Sequence, residues 1–290
     1  MEKRSSANRW AWICPPLALA LVSMVLMWWG FTLLTALLIA LLLVCPALML
    51  WGLIVARRLP DVERHAAQRT RGMTLNWLAP VYDPYCRAVG LGAPFREETL
   101  RYAGPRPGER ILDVGCGTGV LTRLAARAVG PSGSAVGIDP APAMIAVARE
   151  NAQSEGSAAE FRVASIERLP FPDASFDLVL ASLMLHHLPP DVKRMGLKEV
   201  YRVLKPGGRL VIVDFDRPGG LWWWLAVWPF LLLPMTADNL RGLIPRYAEE
   251  AGFEPVKLLG RRAQLLSFWA ATKPVLQAAG HPGNFHAAFP

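Results

Sequence analysis

The chain has 290 residues, 53% of them hydrophobic and 19% charged, and its Lys and Arg outnumber its acids to give a net charge of +8. A mean hydropathy of +0.27 excludes a disordered chain and is too high for an ordinary water-soluble domain of this length. The four cysteines, Cys14, Cys45, Cys86 and Cys116, show neither a Cys-x-x-Cys pair nor metal-ligand spacing, which argues against a disulfide framework or a metal centre.

The apolar excess is concentrated at the start. Ala11 to Ala56 contains no charged side chain, and at about 1.5 Å per residue it makes roughly 70 Å of helix, enough to cross a hydrocarbon core of about 30 Å twice. Two spans reversing at Trp28-Trp29-Gly30-Phe31-Thr32 are predicted. A single tilted span with an interfacial piece is the rival, because Pro15-Pro16 weakens the first span. A signal peptide is excluded, since its apolar core runs only about 7 to 15 residues. Lys3, Arg4 and Arg9 precede the stretch, and Arg57, Arg58, Arg64, Arg69 and Arg71 follow it. Positive flanks on both sides place both ends in the cytoplasm, so 1–60 is read as an anchor in the cell (inner) membrane, with the N-terminus and the domain behind it cytoplasmic.

Residues 61–107 form a linker and a helical cap, with Thr99 to Pro107 leading into a sheet. Within the cap, Tyr82-Asp83-Pro84 is by itself a turn signal. The domain proper, 108–273, opens with Arg110-Ile-Leu-Asp-Val-Gly-Cys-Gly-Thr-Gly119, an apolar strand ending in an acid and then three spaced glycines. Glycine permits positive φ and close approach of the backbone to a ligand. The helix predicted over Val120 to Val129 would aim its first amides at the same place. Glycines also serve plain tight turns, so the motif alone does not decide.

A second apolar run, Ala135-Val-Gly-Ile-Asp139, ends in an acid placed to accept hydrogen bonds from ribose hydroxyls. Asp139 can also serve the start of the helix near Pro140. A nicotinamide or flavin site shares the spacing, but the glycines run G-x-G-x-G with Val120 next, so the third glycine of G-x-G-x-x-G is out of place. Ala159 to Val163, Phe176 to Leu180 and Arg209 to Val213 read as further strands, buried on both faces. A helix over Val192 to Leu204 stops at Lys205-Pro-Gly-Gly208. The alternation gives an α/β, doubly wound, mostly parallel seven-stranded sheet, a Rossmann-like fold preceded by a transmembrane helical hairpin.

The block Leu221 to Met235 carries four tryptophans and two prolines. It is short for a span and is read as a membrane-interfacial insertion acting as a lid; a buried helix is the bland alternative, yet closely spaced tryptophans cannot all face one core. Leu243 to Gly252 is the last predicted helix. Glu254 to Leu259 and Gln264 to Thr272 form a terminal strand pair turning at Gly260-Arg261-Arg262, and 274–290 is a tail.

On LDVGCGTG (112–119), GIDPAPAMIAVAR (137–149), ERLPFPDASFDLVLASLMLHHL (167–188) and EVYRVLKPGGRLVIVDF (199–215), the chain resembles the class I S-adenosylmethionine-dependent methyltransferases. The resemblance is to the group with quinone-biosynthesis C-methyltransferases and bacterial phosphatidylethanolamine N-methyltransferases, and it covers about Asn76 to Lys273. It implies S-adenosyl-L-methionine as cofactor, held by Asp113, Gly115, Cys116, Gly117, Gly119, Asp139, Pro140, Met144, Ser165, Ile166 and Ala181. Ser165 departs from the family pattern, which usually has an Asp there for the adenine amino group. Tyr82 and Asp83 resemble the step that closes over cofactor and substrate, joined in that role by Trp222, Trp223 and Trp224.

His186 and His187, beyond the fourth strand, are the candidate catalytic residues, a general base where the acceptor is a phenol or activated carbon; local packing residues are the alternative. Nucleic acid is excluded as a partner, since Ala181-Ser-Leu-Met184 stands where base methyltransferases carry Asp/Asn-Pro-Pro-aromatic, and the basic flanks suit anionic membrane lipids. The expected function is methyl transfer to a lipid or lipid-like acceptor, a phospholipid amine or an isoprenoid quinol. A small soluble acceptor, or a non-catalytic binding module, is the alternative.

Overall fold

The computed structural model describes residues 70–275. The predicted membrane anchor, most of its basic flanks and the tail from 276 onward lie outside the described residues. Among the described residues no helix is long and apolar enough to cross a membrane.

A 3-10 helix, Asn76–Val81, leads into α1 (Tyr82–Ala88) and α2 (Ala93–Ala103). The alternating core follows as β1 (Arg110–Val114), α3 (Val120–Val129), β2 (Ser134–Asp139), α4 (Pro142–Ser154), β3 (Glu160–Val163) and β4 (Phe176–Ser182). Next come a 3-10 turn at Leu185–His187, α5 (Pro190–Val203) and β5 (Leu204–Phe215). The insertion is α6 (Leu221–Val227), a 3-10 helix Trp228–Leu232 and α7 (Pro234–Leu240); α8 (Ile244–Glu250), β6 (Val256–Arg262) and β7 (Leu266–Thr272) complete the described chain.

The strands form one mixed seven-stranded sheet in the order β3-β2-β1-β4-β5-β7-β6. β1 to β5 are parallel, and β7 runs antiparallel to both neighbours. Period-2 alternation explains why these strands are apolar throughout: Leu112 and Val179 pack with Leu197 and Val200 of α5 on one face, while Ile111, Leu178 and Leu180 pack with Phe95 of α2 and Leu121 and Ala125 of α3 on the other. Each such fully buried Leu or Ile contributes about 1.5 to 3 kcal/mol. Strand order reverses between β1 and β4, so their carboxyl ends open the crevice where doubly wound sheets bind ligands.

Four expectations change. Thr99 is not linker but sits buried inside α2, its hydroxyl donating to Phe95 O at 2.9 Å, so the connection to the sheet shortens to residues 104–109. β5 begins at Leu204, which pairs with Phe176, and the Lys205–Gly208 segment is an excursion within that strand before Arg209 pairs with Leu178. The last predicted helix shortens to α8. The terminal hairpin turns past Arg262, where Ala263 and Gln264 both take positive φ, and Gly260 lies inside β6 because the Tyr102 hydroxyl fills the space a Cβ would need.

Candidate functional site

The glycine turn sits at the carboxyl end of β1 and is clamped by the neighbouring strand. Gly115 and Cys116 donate N–H to Ile138 O at 2.8 and 2.9 Å, and Gly117 donates to Asp139 Oδ2 at 3.0 Å. Glycine is required at two of these points. At Gly115, φ +70°, a Cβ would stand 2.6 Å from Met184 Cβ; at Gly119, φ +78°, it would stand 2.5 Å from the Phe161 ring. The positive φ of Gly119 also starts α3, which points its first amides into the crevice.

Asp139 ties the turn to the next helix, its Oδ1 accepting the Ala141 N–H at 2.9 Å. This is the helix-start role expected of it, and each carboxylate oxygen keeps a second acceptor direction. Asp113, 2% exposed, accepts a hydrogen bond from Thr122 Oγ1 at 2.7 Å. Burial raises both acids to about 6, against the hydrogen bonds that favour their charged forms. Burial, and the two acids beside it, push the Cys116 thiol well up, so it is no nucleophile.

The cap closes over this turn. Tyr82 lies at 3.4 Å from the position of a Cβ on Gly117, and Asp83 Oδ1 accepts the Thr118 hydroxyl at 2.5 Å. Asp83-Pro84 opens α1, so it is not a surface turn. On one side of Tyr82 is a cavity of about 270 Å³ reaching Asp113, Gly115, Cys116, Thr118, Cys86, Arg96 and Ser182. On the other is one of about 60 Å³ lined by Gly115, Gly117, Asp139, Pro140, Met144, Met184 and His187. Four of the expected cofactor positions, Gly119, Ser165, Ile166 and Ala181, line neither cavity. The Ile166 side chain is buried against Gly196, and Ser165 Oγ accepts the Glu167 N–H at 3.3 Å. Ala181 is buried within β4, and its neighbour Ser182 reaches the larger cavity instead.

The two histidines part company. His187 is half-buried and lines the smaller cavity, and its Nδ1 is sealed from solvent with no hydrogen-bond partner among the described residues. Burial, then the neighbouring His186, lowers its pKa to about 3. His186 stacks on it at 4.0 Å between ring centroids and is held at Nδ1 by Asp214 Oδ1, 2.7 Å away at the end of β5. A carboxylate at Nδ1 assigns a proton to that nitrogen. Asp214 also accepts the backbone N–H groups of Leu185, His186 and Phe215; burial would raise its pKa, but His186 and these donors hold it below the usual carboxylate value. Sequence reasoning missed Asp214 and Arg96. The only signal for Asp214 was its place in Val213-Asp214-Phe215 at the end of a parallel strand, and for Arg96 there was none.

The insertion adjoins the site through α7, which packs beside the histidine turn. Lys193 of α5 is fully buried and donates from Nζ to Met235 O and Asn239 Oδ1, both at 2.6 Å. Upstream of α7 the insertion turns apolar side chains to solvent: Leu221, Trp223, Trp228, Phe230, Leu232 and Leu233 are all exposed, Trp228 by 56% and Leu232 by 74%. Trp224 is half-buried. No cluster of side chains able to hold a metal ion occurs among the described residues.

Residues 111–208 match the family described as a methyltransferase domain. A ubiquinone/menaquinone biosynthesis C-methyltransferase of Stutzerimonas stutzeri is 38% identical over 212 residues, covering 64% of this chain and 80% of that protein. The same enzyme of Ectopseudomonas mendocina is 41% identical over 45% of this chain. An arsenite methyltransferase of Halobacterium salinarum is 33% identical over 73% of it. The matched regions span 51% and 54% of the length of these last two relatives. Among solved structures, a Haemonchus contortus phosphoethanolamine N-methyltransferase 2 bound to S-adenosylhomocysteine is similar with a TM-score of 0.51 at 22% identity, covering 63% of this chain and 53% of that one. A likeness this distant speaks for the fold alone. The glycine turn, the acid at the end of β2 and the β5-β7-β6 edge agree with the identity to the Stutzerimonas enzyme: the chain belongs to the class I S-adenosylmethionine-dependent methyltransferases.

Proposed function

We propose that this protein transfers the methyl group of S-adenosylmethionine to a lipid-like acceptor drawn from the cell (inner) membrane, to which residues 1–60 anchor it with the methyltransferase domain on the cytoplasmic side. The observation that carries the acceptor class is the set of exposed apolar side chains Leu221, Trp223, Trp228, Phe230, Leu232 and Leu233, next to α7, which packs on the histidine turn of the crevice. A patch of this kind beside a site marks a membrane or partner surface. The quinone-methylating relatives support the same reading.

The residues of the crevice suit the cofactor. Asp139 offers free carboxylate directions to ribose hydroxyls, Pro140 and Met144 offer apolar contact beside it, and the Gly115–Gly119 turn leaves room where side chains would intrude. The cofactor supplies an electrophilic methyl on a sulfonium. The protein's work is to hold an acceptor atom in line with it and to keep water out. Tyr82 and Asp83 serve the closure, with the Asp83–Thr118 hydrogen bond latching cap to turn. Trp222, Trp223 and Trp224 begin the segment that receives the acceptor.

His187 is neutral at working pH and too weak a base, near 3, to strip a proton unaided. As a neutral ring lining the smaller cavity, His187 is suited to pack against the acceptor and orient it, while His186, backed by Asp214, supports the ring from behind. The test is transfer of labelled methyl by the detergent-solubilised full-length protein into a total membrane lipid extract. Label in a phospholipid headgroup or quinone is expected; label only in water-soluble products, with lipid unlabelled, overturns the acceptor class.

A further inference from the structure

The insertion is held at both ends. At its entry Gly219 donates its N–H to Gln264 O at 2.9 Å. At its exit Lys193 of α5 donates from Nζ to Met235 O and to Asn239 Oδ1, both at 2.6 Å. Met235 stands two residues past Leu233, the last of the insertion's exposed apolar side chains. Lys193 and Asn239 are both fully buried. Burial pulls the lysine down to about 8 while the charges of Asp214 and Asp238 act the other way, so the ammonium persists at neutral pH. Neither of its hydrogen-bond partners is a carboxylate. A buried ammonium on a carbonyl and an amide oxygen is a costly way to join two helices, since an apolar side chain of similar size would hold them without desolvating a charge. What the polar tie adds is direction: it suits one rotation and one register of α7 on α5.

The tie continues toward the histidine turn. Asn239 donates from Nδ2 to Phe215 O at 3.4 Å, the neighbouring Asp214 holds His186 at Nδ1, and the Phe215 ring meets the His186 ring edge-on at 4.8 Å. α7 itself packs on Leu185–His187. We propose that Lys193 is a positioning residue for methyl transfer, fixing α7 so that an acceptor carried by the insertion meets the histidine turn in one alignment. The proposal rests on the lipid-acceptor reading and gives a task within it to a buried lysine outside the cofactor crevice. The exposed apolar side chains draw the acceptor in and set KM. The tie sets alignment, and its loss lowers kcat instead.

The test uses the full-length protein in detergent, with the phospholipid or quinone fraction that takes up labelled methyl as acceptor. Lys193→Met removes both hydrogen bonds and strands the Asn239 oxygen. Adding Asn239→Leu makes both sides apolar, which returns the urea midpoint toward that of wild type. In both variants kcat should be lower by about 10- to 100-fold, with KM for the acceptor and affinity for S-adenosylhomocysteine unchanged. Wild-type kcat in the single variant, kcat that returns together with the urea midpoint in the double variant, or failure of both variants to fold would each mean that Lys193 serves no more than the fold, and each overturns the proposal. Wild-type protein that labels no lipid overturns the acceptor reading instead, and amide hydrogen exchange then decides. α7 should exchange faster in the double variant than in wild type while β1 to β5 stay unchanged, and equal exchange of α7 in the two proteins overturns the proposal.

Discussion

Asp139 Oδ2 accepts the N–H of Gly117 at 3.0 Å, so the acid that ends β2 holds the glycine turn that follows β1. Its other oxygen holds Ala141 at the entry to α4. One carboxylate therefore shapes the turn and, in the proposed function, receives the ribose. Asp139→Ala removes both hydrogen bonds and should weaken S-adenosylhomocysteine binding on the order of 100-fold, at a stability cost of about 1 to 3 kcal/mol. Asp139→Asn keeps an acceptor for one of the two amides and should cost less stability than affinity. Calorimetric titration beside urea unfolding separates the two; unchanged affinity in the Ala variant would remove Asp139 from the site.

Asp113 and Asp139 give cofactor binding a pH dependence of definite sign. Burial raises each to about 6, and a bound ligand that donates hydrogen bonds to them favours the ionised forms. Affinity for S-adenosylhomocysteine should therefore fall as pH drops through 6, by about tenfold for each acid that must be ionised between pH 7.5 and 5. The unliganded fold responds oppositely to these two groups. Their folded values lie above the unfolded value of about 3.9, so the stability they contribute is fully present below that pH and is lost as pH rises through 6. Titrations at several pH values on wild type and Asp139→Asn check the sign; affinity that is flat from pH 5 to 7.5 would refute it.

Local chemistry explains which parts of this site were legible in the sequence. The glycine turn, Asp139 and the bounds of α3 are set by residues close together in the chain, and the structure places them where the motifs do. Arg96 was invisible because nothing in Ala93-Pro-Phe-Arg-Glu-Glu distinguishes it from any solvent-facing helix arginine; only the packing of α2 against β4 brings it to Ser182. The Asp214–His186 pair spans 28 residues and depends in the same way on β5 lying beside β4. Gly260 misled for the opposite reason. A glycine followed by two arginines reads as a turn, yet it serves close packing under Tyr102, and the real turn uses Ala263 and Gln264 at positive φ.

The exposed apolar face of the insertion makes a prediction about acceptor use. Trp228 and Leu232 stand in solvent, away from the packed interface that Lys193 makes with Met235 and Asn239, so charges placed there should leave the fold intact. In the proposed function the double variant Trp228→Glu, Leu232→Glu should raise KM for a lipid acceptor presented in vesicles about tenfold, since a glutamate resists transfer into the interface. Binding of S-adenosylhomocysteine should not change. Equal KM values for variant and wild type would detach the insertion from acceptor delivery.

His187 makes the last prediction, on stability. Burial and His186 hold its folded pKa near 3, against an unfolded value of about 6.5. A histidine whose folded value is depressed must be deprotonated to stay folded, so below pH 6.5 the unfolded chain binds the extra proton and the fold loses stability until the pH reaches the folded value. Between pH 7 and pH 5 this single group should cost at most about 2 kcal/mol. His187→Gln keeps a polar side chain without a proton to take up in that range. Because Asp113 and Asp139 act alike in both proteins, the difference between wild type and variant isolates the histidine. Urea unfolding at pH 7 and pH 5 should show the wild type losing the larger share on acidification, and a difference that does not change between the two pH values would mean that His187 is charged, or free to become so, in the folded protein. That result would also undo its part in orienting the acceptor, which requires a neutral ring.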